Sequence, residues 1–149
     1  MIAIDLQDVE SLARQIARNA GKGFDATWER TERAATLTIA STNPDAGVVA
    51  ITTLEPGTLY LELLSGVQAE WLIRTEDDWR RCCGQLRTIF GALFRGSVVE
   101  RVKHCAGGFT EVRATIVDRG NTITLVRRGR PLPCVGRVSM RHYGAFPDA

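Results

Sequence analysis

Four cysteines (Cys82, Cys83, Cys105, Cys134) and two histidines (His104, His142) hold most of the reactive chemistry in this chain. A zinc site needs such ligands to converge at about 2.0–2.3 Å from one ion. There is no Cys-x-x-Cys, and His104 and Cys105 are neighbours on an expected strand, where successive side chains point to opposite faces. The spacing points to no metal and to no other cofactor. A nucleophilic thiol needs an electropositive, partly exposed setting. Cys105 or Cys134 meeting His142 in the arginine-rich C-terminal stretch would be one. Cys82 and Cys83 instead fall on the apolar arc of an expected helix, as buried structural thiols do. The carboxylates Glu76, Asp77 and Asp78 suit the start of that helix.

Other catalytic signatures are absent from the sequence. It has no Gly-x-Ser-x-Gly, no His-Glu-x-x-His and no phosphate-binding loop ending in Lys-Ser/Thr. Gly21-Lys-Gly23-Phe-Asp-Ala26 has the letters of a dinucleotide fingerprint, but it follows a helix and precedes a strand, the reverse of the order required. No catalytic residue is assigned. A small enzyme with a dispersed site remains the third of three readings.

Charge is more informative. Of nineteen basic residues only Lys22 and Lys103 are lysine, and the net charge is +2. Residues 1–75 carry ten acids and six bases, whereas residues 76–149 carry seven acids and thirteen bases. Between Arg119 and Pro147 there are six arginines and no acid. Arginine clamps carboxylates and phosphates bidentately. Arg127, Arg128 and Arg130 cluster where a strand runs into the Gly129–Pro133 loop. With Arg137 and Arg141 they are the expected partner-binding residues. Readers of single-stranded nucleic acid interleave aromatics with their bases, and here only Tyr143 and Phe146 qualify. An acidic protein is therefore the first expected partner. A nucleic-acid or phosphate ligand is the second.

The elements that position these residues follow from patterning. A length of 149 residues with 44% apolar and 24% charged residues fits one domain. No apolar run is long enough to span a bilayer, so no membrane is expected. The first eight residues have no basic region and carry Asp5 and Asp8, so the expected location is cytoplasmic. Leu6, Val9, Leu12, Ala13, Ile16 and Ala20 predict a helix over Asp5–Ala20 that stops at Gly21. Alternation predicts strands at Phe24–Glu29, Ala35–Ile39, Val48–Leu54, Leu59–Leu63 and Glu70–Thr75, joined by the turns Asn43–Gly47 and Pro56-Gly57. Thr75 and Asp78 form a capping box for a second helix ending at Gly96. Its apolar residues, from Trp79 to Phe94, lie within an arc of about 140°. Gly84, Thr88 and Gly91 fall opposite that arc, on an expected outer face. Strands at Ser97–Lys103, Phe109–Val117, Thr122–Arg128 and Cys134–Met140 complete an α+β domain of order α-β(~5)-α-β(~4), with antiparallel meander sheets and two packed helices. Each helix opens a run of strands, so residues 1–75 and 76–149 read as two similar halves.

The segment Leu86-Arg-Thr-Ile-Phe-Gly-Ala-Leu-Phe-Arg-Gly-Ser-Val-Val-Glu-Arg-Val102 resembles a helix–Gly–strand junction of small bacterial immunity-like proteins of uncharacterised families. That resemblance implies a cytoplasmic α+β protein that binds and neutralises a cognate toxin and has no catalytic site. It carries no functional residue over to this chain.

Overall fold

Asp5 accepts the Gln7 amide at 2.8 Å, and Gly21 takes the left-handed conformation that ends α1 (Leu6–Ala20). This computed structural model describes residues 2–63, 66–105, 108–129 and 136–149. Five strands follow: β1 (Asp25–Arg30), β2 (Ala35–Ala40), β3 (Val49–Thr53), β4 (Thr58–Leu63) and β5 (Val67–Leu72). They form an antiparallel meander in chain order. Gly57 at φ 80° and the Thr58 amide bonded to the Glu55 carbonyl make Pro56-Gly57 the expected type II turn. The expected strand at Glu70–Thr75 lies three residues earlier, because Gly66 at φ 99° turns the chain so tightly that Val67 already pairs with Leu63. Ile73 is buried just beyond the strand, which is what gave Trp71 and Ile73 their strand-like pattern.

The Thr75–Asp78 capping box opens α2 (Glu76–Arg95), and Gly96 at φ 73° closes it. Leu86, Ile89, Phe90, Leu93 and Phe94 are buried as the arc requires. Opposite the arc Gly84 is exposed as expected, but the turns that follow it are not outer. Thr88 and Gly91 are also buried, because the β7–β8 hairpin packs there. Asp118 lies so close to Gly91 that an added Cβ would stand 2.3 Å from its Oδ2, and Arg95 binds Asp118 at 2.7 Å. The small residues admit a side chain from the hairpin turn.

The second sheet comprises β6 (Val98–Cys105), β7 (Gly108–Asp118), β8 (Asn121–Arg128) and β9 (Arg137–Tyr143). Its order is β8-β7-β6-β9, so β9 does not extend the meander but pairs with the other edge of β6. The expected Cys134–Met140 strand thus starts and ends about three residues later, while residues 130–135 lie outside the described part. β5 lies beside β8, so the two sheets meet along that seam. One core serves both: Leu37, Ile39, Ile51 and Leu61 of the first sheet, Val98, Ala114 and Ile116 of the second, and the apolar faces of both helices. Phe94 joins the ends, stacking on Phe24 at 5.5 Å and meeting Phe146 edge-on at 5.0 Å. Among the described residues no helix is long and apolar enough to cross a membrane.

Candidate protein-binding surface

Strand alternation sorts the residues of the second sheet onto two faces. Val98, Glu100, Val112, Ala114 and Ile116 are buried toward α2, so Val99, Arg101, Lys103, Glu111, Arg113, Thr115 and Val117 face outward. The register adds Thr122, Thr124 and Val126 from β8 and Val138, Met140 and His142 from β9. Arg101 stands between Arg113 on one side and Met140 on the other. Like charges directly opposite one another weaken a sheet. Arg113 reaches Glu111 at 3.3 Å, and Glu111 is the one acid on this face among the described residues. Met140, Val138 and Val117 are 55%, 45% and 40% exposed. Methionine and arginine are among the residue types enriched at protein interfaces.

Of the arginines singled out from sequence, Arg127 lies on one edge strand of the second sheet, and Arg137 and Arg141 lie on the other. Arg127 and Arg128 are consecutive on β8, opposite Val112 and Glu111 respectively. Arg127 belongs to the helix-side face, and its guanidinium lies over Gly66, where an added Cβ would stand 2.4 Å from Nη1. It joins the two sheets at their seam. Arg130 lies outside the described residues. Arg137 and Arg141 are exposed on β9, on the same helix-side face as Arg127. Arg141 lies over the Tyr143 ring at 4.7 Å. The outward set of Arg101, Lys103, Arg113, Val138 and Met140 went unread in sequence. Its signal was the odd-numbered phase of two alternating strands, Val99–Lys103 and Glu111–Val117.

The buried polar group behind this surface is Glu100, which accepts the Tyr143 hydroxyl at 2.5 Å. Burial pushes the tyrosine pKa well up, and the adjacent carboxylate pushes it further. The pair pins β9 to β6 from the core side. The Cys82 and Cys83 thiols are shifted away from the reactive thiolate form. Burial raises Cys82 from 9.0 to about 12, with Cys83 adding to the effect, and burial raises Cys83 as well. His142 pairs with Val99, six residues along β6 from Cys105, so these two lie about 20 Å apart. His104 is hydrogen-bonded to Ser139 at 2.9 Å. Cys134 lies outside the described residues.

The first sheet presents a different outer face. Asp25, Thr27 and Glu29 of β1 continue through Thr36, Thr38 and Ala40, then Ala50 and Thr52, then Tyr60 and Glu62, to Gln68, Glu70 and Leu72. Asp25, Glu29, Glu62 and Glu70 are exposed, and this set contains no lysine or arginine. Between β3, β4 and β5 it holds a groove of about 460 Å³ floored by Ala50, Thr52 and Tyr60. Desolvation raises the Tyr60 pKa, and the nearby Glu70 and Glu55 carboxylates raise it further. No family model matches the chain, and no curated protein and no solved structure matches it.

Proposed function

We propose that the chain is a non-catalytic protein-binding domain whose partner is an acidic protein, held on the outer face of the second sheet. The observation that carries this reading is Arg101, placed opposite Arg113 and beside exposed Met140. A cation set against a like charge has a better environment once a carboxylate arrives. Desolvating Arg101 beside Met140 strengthens such a pair. The face has no aromatic residue among its described positions, which favours protein over single-stranded nucleic acid. Arg137 and Arg141 extend the basic surface along the other side of β9. Neutralisation of a toxin is the special case in which the acidic partner is an enzyme whose site this face covers.

The test is capture from the native host, followed by affinity measurements with the purified partner. Arg101→Ser with Met140→Ser should weaken binding roughly thirtyfold, the effect of about 2 kcal/mol at a hot spot. Arg137→Ser with Arg141→Ser should weaken it less. Binding should also fall as salt rises. Unchanged affinity in the folded Arg101 variant removes this face. Capture of nucleic acid alone, with a steep salt slope, transfers the proposal to a phosphate ligand.

A further inference from the structure

The two outer faces are complementary to each other. That of the first sheet carries Asp25, Glu29, Glu62 and Glu70 without a base, and that of the second carries Arg101, Lys103 and Arg113 against Glu111. The exposed large apolar residues divide the same way. Val48, Leu54 and Leu72 flank the acidic face, whereas Val117, Val138 and Met140 lie on the basic one. All six described residues of this kind belong to these two surfaces. Exposed large apolar residues gathered on two surfaces, rather than scattered singly, mark interaction sites. The first sheet lies against α1 and the second against α2, the two helices pack on each other, and the sheets share one core and meet along β5 and β8. The acidic and basic halves are therefore neighbours, each turned away from the core.

We propose that a second copy of the chain docks on this surface, its basic half on the acidic half of the first. Because the halves adjoin, a two-fold axis near the seam makes both contacts at once and closes a dimer, as an isologous interface requires. The groove over Ala50, Thr52 and Tyr60 receives the apolar rim of the partner sheet, with Glu62 and Glu70 placed to meet Arg101 and Arg113. This dimer stands on the charge division alone. On the reading of the preceding subsection it has a consequence: the second copy occupies the face an acidic partner needs, so partner and dimer compete.

Sedimentation of the purified chain over a range of concentrations tests the dimer. At low salt a monomer–dimer equilibrium is expected, shifting toward monomer as salt is added. Glu62→Arg with Glu70→Arg, or Arg101→Glu with Arg113→Glu, should each raise the dissociation constant at least tenfold, with the fold verified by circular dichroism. Mixing the two variants should restore association, because one contact is then native and the other reversed in sign, and placing all four changes in one chain should also restore self-association. A chain that stays monomeric at low salt overturns the proposal, as does a dimer indifferent to both reversals or a four-fold variant that stays monomeric. Failure here leaves the acidic-partner reading intact, because that is measured with the partner present.

Discussion

Each sheet of this chain turns one face to the helices, and only the second buries a charged residue on that face. The first sheet buries Leu37, Ile39, Val49, Ile51, Leu59 and Leu61, all aliphatic. The second buries Val98, Val112, Ala114 and Ile116 in the same manner but adds Glu100. Outward, both carry threonines, but the first adds carboxylates and no base, whereas the second adds arginines, valines and a methionine. Burial dictates the inner faces, since apolar area removed from water is worth about 25 cal/mol per Å². Nothing in folding dictates the outer ones, which are where function can be written.

The comparison breaks first if the halves are separate units. Phe94 touches Phe24, just before the first sheet, and Phe146, just after the second. Phe94→Ala should therefore cost about 3–5 kcal/mol and lower a single cooperative unfolding transition. Two transitions by fluorescence and circular dichroism, only one of them shifted, would show that each half keeps its own core.

Glu100 sharpens the difference between the inner faces. Tyr143→Phe removes the hydroxyl that the buried carboxylate accepts, which should cost about 1–3 kcal/mol in chemical denaturation. A comparable cut on the first sheet, Tyr60→Phe, should cost much less, because that ring sits on the half-buried outer face. Equal losses would mean that the Glu100–Tyr143 bond contributes nothing beyond packing.

How much of this could be read from the sequence depended on how local the cause was. Asp5, Gly21, Thr75, Asp78 and Gly96 bound their helices through bonds to residues a few positions away, so type and spacing sufficed. The burial of Gly91 was not legible, because the group that needs the space, Asp118, arrives 27 residues later from another element. The pairing of β9 with β6 is set by a return across the sheet that no local pattern encodes. The charge division between residues 1–75 and 76–149 was visible, but its meaning was not. Arg127 and Arg128 look like a cluster in sequence, yet the Arg127 guanidinium lies over Gly66 at the seam, whereas Arg101 and Arg113 look unrelated and stand opposite one another.

The helix between the sheets offers a third test, in the alkaline range. The Cys82 thiol, at about 12 in the folded chain against 9.0 ordinarily, keeps its proton longer folded than unfolded. Stability is therefore fully present below pH 9 and is lost as pH rises toward 12, with a loss of order 1 kcal/mol by pH 10. Tyr143, raised in the same sense, adds to the loss above pH 10. Cys82→Ala should flatten the fall between pH 9 and 10 in urea denaturation series. A slope unchanged by that substitution would show the thiol to be less buried than its place on α2 requires.

The smallest expected effect bears most directly on what the outer faces are for. Arg101→Thr replaces a cation facing Arg113 with a β-branched residue suited to a strand. If the sheet were optimised for stability alone, losing the native residue should cost something. Relief of the like-charge pair instead predicts a gain of about 0.2–1 kcal/mol, greatest at low salt. The matching change on the first sheet, Thr38→Arg, lies between Thr27 and Ala50 and relieves nothing, so it should be neutral or slightly destabilising. A gain at Arg101 accompanied by loss of partner binding is the signature of a residue kept for recognition against the interest of the fold. A loss of stability at Arg101 would mean that the guanidinium is held by contacts that outweigh its repulsion from Arg113, and the outer face of the second sheet would then be no more specialised than that of the first.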